Sequence, residues 1–234
     1  GECAGEVGDY CFTANIGRKL FAHRLCVSGR TNQELAKQLQ NWIKDFNPSN
    51  AVATTQSLTP IAFVFTGQGS QYVAIARDLY LTQSTFRNAL DDCANHFSRH
   101  MQIDVIGLAT DVTLTQTDLL PTDQAQPLIF SIGYALAQMW MSWGVTPDYI
   151  LGHSLGEYIA ACVAGIFSLE DAVKLVSLRA SLMQATTAKG EMWAIHCDAK
   201  TARHAIKDQS TKISLAADNA PNSVVISGND SALK

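Results

Sequence analysis

The chain has 234 residues, 47% of them hydrophobic and 16% charged, with a net charge of −4. That length suits roughly one or two domains, and so apolar a composition excludes an intrinsically disordered chain. Seventeen lysines and arginines against 21 acids leave no basic surplus for gripping nucleic acid or an anionic membrane.

The six cysteines, Cys3, Cys11, Cys26, Cys93, Cys162 and Cys197, are scattered and form no Cys-x-x-Cys pair. They read as reduced thiols of a cytoplasmic protein, not as a disulfide framework. The chain starts at Gly1 without a basic-then-apolar leader and reads as cut from something longer.

In chain order, residues 1–46 read as a small α/β unit. CFTANIGRKL and FAHRLCVSG are expected to be extended or turn segments. Thr31-x-x-Glu34 then has the form of a capping box. Leu35, Leu39, Trp42 and Ile43 follow at the spacing of one helix face. Phe46 to Pro60, poor in charge and rich in Asn, Ser, Thr and Pro, reads as a linker.

The run Ile61-Ala62-Phe63-Val64-Phe65 predicts a strand buried on both faces, as in a parallel sheet covered by helices. Phe86, Leu90, Cys93 and Phe97 recur at near-helical spacing. From Gln124 to Pro147 there is no charged residue. Its Leu128–Val145 portion is long enough for a bilayer span. It contains Ser, Gly and Gln and lacks flanking basic anchors, so a buried helix is expected, opened by Pro127.

Tyr149-Ile150-Leu151 predicts a second short buried strand, running into Gly152 and a small-residue helix to about Gly165. Ser168-x-x-Asp171 caps a further helix to about Gln184. Beyond Gly190 the pattern becomes a strand at Met192–Cys197, a helix at Thr201–Asp208 and strands near Ile213–Ala216 and Ser223–Ser227. That order makes a small α+β subdomain.

Gly152-His153-Ser154-Leu155-Gly156 is a Gly-x-Ser-x-Gly pattern between a predicted strand and a predicted helix, the setting of a nucleophile elbow. A serine on so sharp a turn requires small neighbours, and the helix behind it offers free N–H groups and a positive dipole end. The Leu155 N–H is therefore placed to stabilise an oxyanion on a carbonyl attacked by Ser154. His153, adjacent in sequence, diverges from Ser154 at such a turn and reads as structural or pocket-lining.

Gly67-Gln68-Gly69-Ser70-Gln71 follows the first strand. Tyr72 stands where a dinucleotide fingerprint needs its third glycine, and no Gly-Lys-Ser/Thr follows for a phosphate loop. What remains is a glycine-flanked turn at a parallel strand end: a plain connection, or a second oxyanion donor. Arg179 lies among Leu175, Val176, Leu182 and Met183 on one helix face. An inward arginine calls for an anion, either an internal acid or the free carboxylate of a substrate attacked by Ser154.

FVFTGQGSQY, AQPLIFSIGYALAQMW, GHSLGEYIAACVAG, LRASLMQ and NAPNSVVISG, in that order, resemble the acyltransferase domains of modular type I polyketide synthases and the malonyl-CoA:acyl-carrier-protein transacylases. YCFTANIGRKLFAHRL is similar to the linker that joins a ketosynthase to such a domain. The resemblance covers nearly the whole chain. It implies an α/β fold in three parts: a partial α/β linker unit at 1–57, an α/β-hydrolase-like large subdomain with a parallel sheet at 58–188, and an incomplete ferredoxin-like small subdomain at 189–234.

The resemblance makes Ser154 the acyl-carrying nucleophile and pairs the N–H groups of Gln68 and Leu155 in the oxyanion hole. Arg179 matches the arginine that holds the extender's free carboxylate, and Gln126 matches a glutamine near the acyl pocket. Leu155 and the stretch Thr122-Asp123-Gln124-Ala125-Gln126 look like malonyl preference. The implied substrate is a CoA thioester, most simply malonyl-CoA. The implied partners are an acyl carrier protein with its phosphopantetheine thiol and an adjoining ketosynthase. No metal or bound cofactor is called for.

Two departures stand out. Ala74-Ile75-Ala76 replaces a customary Gly-Met-Gly. The general-base histidine, expected well past the ISG strand, has no match among His23, His96, His100, His196 and His204. Two other readings remain: a serine hydrolase or thioesterase sharing the elbow, and a catalytically incompetent piece of a synthase.

Overall fold

The computed structural model describes residues 6–19, 21, 25–45, 59–186 and 190–233. Cys3, His23 and most of the Phe46–Pro60 linker lie outside the described residues. The chain divides into two units, Gly1–Pro60 and Ile61–Lys234.

The described part of the first unit is helical. Helix α1 (Val7–Ile16) covers residues 11–16, which the sequence reading expected to be extended. Local end signals outweigh the β-like composition there. Asp9 in the first turn suits the helix dipole, and the Gly17 N–H closes the last turn on the Thr13 carbonyl at 2.9 Å. Helix α2 (Asn32–Lys44) starts as anticipated, with the Glu34 N–H donating to Thr31 Oγ1 at 3.2 Å. The Glu34 carboxylate reaches back to the Arg30 N–H at 2.7 Å.

The second unit starts with β1 (Ala62–Phe65) and continues through α3 (Arg77–Thr82), α4 (Ser84–Phe97) and α5 (Val105–Thr110) to α6 (Thr122–Ser142). Strand β2 (Tyr149–Gly152), α7 (Gly156–Val163) and α8 (Leu169–Gln184) follow. Strands β1 and β2 pair in parallel with Ala62 opposite Tyr149 and Phe65 opposite Gly152. Their C-terminal ends are thus level, and the His153 N–H extends the ladder to the Phe65 carbonyl at 3.0 Å.

Helix α6 is the structural axis. Phe130 and Ile129 join Phe65, Phe97, Leu155, Ile159 and Val176 in one core. Leu128, Ile132 and Met139 join Phe86, Leu90 and Leu119 in a second. A helix buried on two opposite sides has no use for charged residues, which accounts for the charge-free run. Among the described residues no helix is long and apolar enough to cross a membrane.

Pro127 does not open this helix. Pro121 caps it and Pro127 sits inside, more than a turn from the start. Its missing N–H leaves the Asp123 carbonyl without the i→i−4 bond it would otherwise accept.

The two strands also differ from expectation. Val64 is 66% exposed and Leu151 64% exposed, so nothing among the described residues covers that face of the strand pair. Helix α7 packs against the other face, where Phe65 also meets Ile129 and Phe130 of α6, and an apolar run alone does not say how many faces will be covered.

The remaining elements are β3 (Gly190–Ile195), α9 (Ala199–Ala205), β4 (Ile213–Ala220), β5 (Ser223–Asn229) and α10 (Asp230–Leu233). The strands form an antiparallel sheet in the order β3-β5-β4. The Asp198 carboxylate caps α9 by accepting from the Thr201 N–H at 2.9 Å.

Candidate active site

Ser154 occupies the turn between β2 and α7 with φ +54°, a left-handed conformation that costs an L-residue roughly 1–2 kcal/mol. The flanking glycines are required by close approach. A Cβ on Gly156 would collide with the Phe65 carbonyl oxygen and lie 2.9 Å from the Thr66 oxygen. One on Gly152 would collide with the backbone at Gly156. The start of α7 is thereby pressed against the end of β1, and the strain at Ser154 is held in place by packing on both sides.

The Gly67–Gln71 turn abuts this elbow. A Cβ on Gly67 would lie 3.4 Å from Ser154 Cβ and 3.1 Å from the His153 carbonyl oxygen. Gln71, only 5% exposed, braces the turn: its Oε1 accepts from the Gly69 N–H at 2.9 Å and its Nε2 donates to the Leu119 carbonyl at 3.0 Å. The Gln68 side chain donates to Thr122 Oγ1 at 3.3 Å, and the Thr122 N–H donates to Gln184 Oε1 at 2.9 Å. Neither the Gln68 N–H nor the Leu155 N–H has a hydrogen-bond acceptor among the described residues. Free backbone donors stabilise an oxyanion where they are aimed at the oxygen of an attacked carbonyl. Leu155 is fully buried in the core that β1, α6 and α7 share.

Arg179 on α8 reaches the same place. Its Nη2 donates to Ser154 Oγ at 3.3 Å and its Nη1 to Gln126 Oε1 at 2.5 Å. The guanidinium carbon stands 5.7 Å from the centre of the Tyr158 ring. No carboxylate pairs with it among the described residues, which removes the internal-acid alternative there.

Arg179 does not stand on the apolar face that its sequence neighbours suggest. Leu175, Leu182 and Met183 are 40%, 62% and 48% exposed. The buried stripe of α8 is Ala172, Val173, Val176, Ser177 and Ala180. Arg179 borders that stripe and reaches the elbow along it. Gln126 is fully buried on α6, its Nε2 within 3.4 Å of Met183 Sδ. The five residues singled out in the sequence, Gln68, Gln126, Ser154, Leu155 and Arg179, therefore converge on one site.

No histidine hydrogen-bonds to Ser154 among the described residues; His153 turns away, with its Nε2 3.1 Å from Asn219 Oδ1 on β4. Sequence reasoning gave no role to Asn219, Tyr158 or Gln71, and named Thr122 only as part of the 122–126 stretch. Gln71 carried one usable signal, an amide directly after a glycine turn, where a side chain commonly closes the loop.

Residues 62–234 match the profile of the acyl transferase domain family. The chain belongs to that family. Residues 4–39 match a second profile, the C-terminal region of CurL-like polyketide synthases. Over 221 residues the chain is 38% identical to the phenolphthiocerol synthesis polyketide synthase type I Pks15/1 of Mycobacterium marinum, covering 93% of this chain and 10% of that protein. The acyltransferase domain of ZmaA superposes with a TM-score of 0.84 at 31% identity, over 98% of this chain and 54% of the other. A type II polyketide synthase acyl-carrier protein in complex with its malonyl-transacylase gives a TM-score of 0.64 at 30% identity, over 75% and 57%. These relatives place the family member among the acyltransferase domains of type I polyketide synthases, with an α/β fold. The chain spans about half the length of these solved relatives and about a tenth of the curated one.

Proposed function

We propose that this chain carries the nucleophile and the carboxylate-binding half of an acyltransferase that moves a malonyl group from CoA to the phosphopantetheine thiol of an acyl carrier protein. The observation that carries the reading is Arg179: a guanidinium with no carboxylate partner among the described residues, oriented by buried Gln126 and hydrogen-bonded to the strained Ser154 hydroxyl. A planar cation beside a nucleophile selects an acyl group with a second, anionic end.

In this reading Ser154 Oγ attacks the thioester carbonyl and gives its proton to a histidine in the part of the domain that these residues do not span. The carbonyl oxygen becomes an oxyanion held by the N–H groups of Gln68 and Leu155. Collapse breaks the C–S bond, and the CoA thiolate leaves with the proton from the histidine. The carrier-protein thiol then attacks the Ser154 ester by the same route in reverse, restoring the hydroxyl. Arg179 holds the free carboxylate throughout, as the anchoring group that keeps the reacting carbonyl over Ser154. Malonyl is favoured over longer extenders by the resemblance at Leu155 and at residues 122–126. The helical unit at the N-terminus fits a neighbouring ketosynthase as the second partner.

The test is intact mass of the protein carrying the complete domain, before and after malonyl-CoA, beside Ser154→Ala. A malonyl-sized gain that vanishes in the variant, followed by transfer to a carrier protein, is the expected result. No ester in the complete domain, or release only to water, overturns the transferase reading.

A further inference from the structure

Among the described residues, one hydrogen bond joins the three-stranded sheet to the rest of the second unit: His153 Nε2 to Asn219 Oδ1, 3.1 Å. Both ends are specially placed. His153 lies between the strained serine and the end of β2. Its other ring nitrogen faces the oxyanion turn, where a Cβ on Gly67 would lie 3.3 Å from Nδ1. Asn219 sits at an irregularity of β4. Asp218 pairs with Val224 and Ala220 with Ser223, so Asn219 is skipped in the ladder. A bulge re-aims the side chain it carries, and bulges concentrate beside active sites for that reason.

An amide oxygen only accepts, so Nε2 carries the hydrogen in this contact. The ring is wedged between the Gly67 turn and β4 with Nε2 as its donor to Asn219. The sheet is tied to the catalytic elbow at a residue one position from the nucleophile.

We propose that Asn219 and His153 form a latch that seats the small sheet against the elbow, and that the latch decides whether the Ser154 ester is delivered to a thiol or lost to water. Asn219 is a positioning residue: it touches neither substrate nor Ser154 and acts through the His153 ring. The proposal rests on the acyl-ester reading above. With the latch made, the end of β4 stands at the rim of the cleft and limits the approach of water to the ester. With the latch broken, the sheet is free to swing and the ester is exposed while Ser154, Arg179 and the oxyanion donors stay intact.

The experiment compares the full-length protein with Asn219→Ala and Asn219→Asp. One measurement is the ratio of free malonate to malonyl-carrier protein formed from the pre-acylated enzyme. The other is amide hydrogen exchange of residues 213–222, with 190–195 as reference. Losing one neutral hydrogen bond corresponds to about fivefold. Asn219→Ala is expected to raise both the hydrolysis-to-transfer ratio and the exchange of 213–222 by about that factor. Asn219→Asp, which keeps an acceptor for the same hydrogen, is expected to restore both to within about twofold of wild type.

Unchanged exchange in Asn219→Ala overturns the latch. Raised exchange with an unchanged partition ratio overturns its role in protecting the ester. An aspartate variant no better than alanine overturns the hydrogen bond as the cause. A wild-type protein that forms no ester refutes the acyl-transfer reading, and the exchange measurement still decides the latch.

Discussion

Gln126→Leu probes the side of the site proposed to hold the substrate carboxylate, with little change in side-chain volume. Gln126 is fully buried, and its Oε1 takes the hydrogen of Arg179 Nη1 at 2.5 Å. A hydrogen bond to a charged group contributes about 1.5–3 kcal/mol, which is about 10- to 150-fold in a rate or equilibrium constant. Arg179 is only half-buried and keeps its contacts to Ser154 and Tyr158, so water compensates part of the loss. The low end, about tenfold, is therefore expected for kcat/KM of Ser154 acylation by malonyl-CoA. Acetyl-CoA has no carboxylate for Arg179 to hold, and its slow acylation is expected to change less than about twofold. The assay is single-turnover ester formation with each thioester on the complete domain. An equal loss on both thioesters, or none with malonyl-CoA, would falsify the idea that Gln126 acts by orienting Arg179.

Gly156→Ala forces a methyl group into the Phe65 carbonyl, and rigid backbone on both sides places the cost near 3 kcal/mol. That corresponds to about 6–12 °C in Tm for a unit of this size, and a melt within ~2 °C of wild type would contradict the close packing of α7 on β1. At Ser154 the left-handed backbone favours glycine, so Ser154→Gly is expected to be about 0.5–1 kcal/mol more stable than Ser154→Ala by urea unfolding, both being inactive. Burial raises the Cys93 thiol strongly and pushes Cys162 from 9.0 to about 11. Both should resist alkylation at pH 8 while exposed Cys26 reacts, as peptide mapping would read. Because these thiols are held protonated in the folded state, their stabilising effect is complete below pH 9 and declines as pH rises towards 11; a flat unfolding free energy across that interval would contradict it.

The elbow was legible because its requirements are local: a serine at positive φ, with no room for a Cβ on either flanking glycine, leaves little freedom in five residues. Helix caps at Thr31 and Ser168 were legible for the same reason. Arg179 was found by its charge on a helix, yet its surroundings were misread, because a helical wheel assigns Leu175 and Leu182 to the core without knowing which neighbours arrive. The Arg179–Gln126 contact spans 53 residues of sequence, and the His153–Asn219 contact 66, so only tertiary packing brings them together. The strand faces failed on the same ground. Val64 and Leu151 carry the composition of a two-sided core strand, while the helices described here cover one side. Helix α1 escaped because none of its residues is buried and no side chain caps its start, so it carries neither an apolar stripe nor a capping signal.

The order β3-β5-β4 has a consequence for how the protein is made. The middle strand is the last of the three to leave the ribosome, so β3 and β4 emerge as two edges with nothing to join them. Pro221-Asn222 turns the chain so that β5 lies against β4 as a local hairpin, and β3 pairs on its far side, from Ile195 against Val224 to Gly190 against Asn229. Translation that stalls before Ser223 would thus release a nascent chain with its serine elbow already encoded but its smaller sheet unable to assemble, a substrate for chaperones and proteases rather than a half-working enzyme.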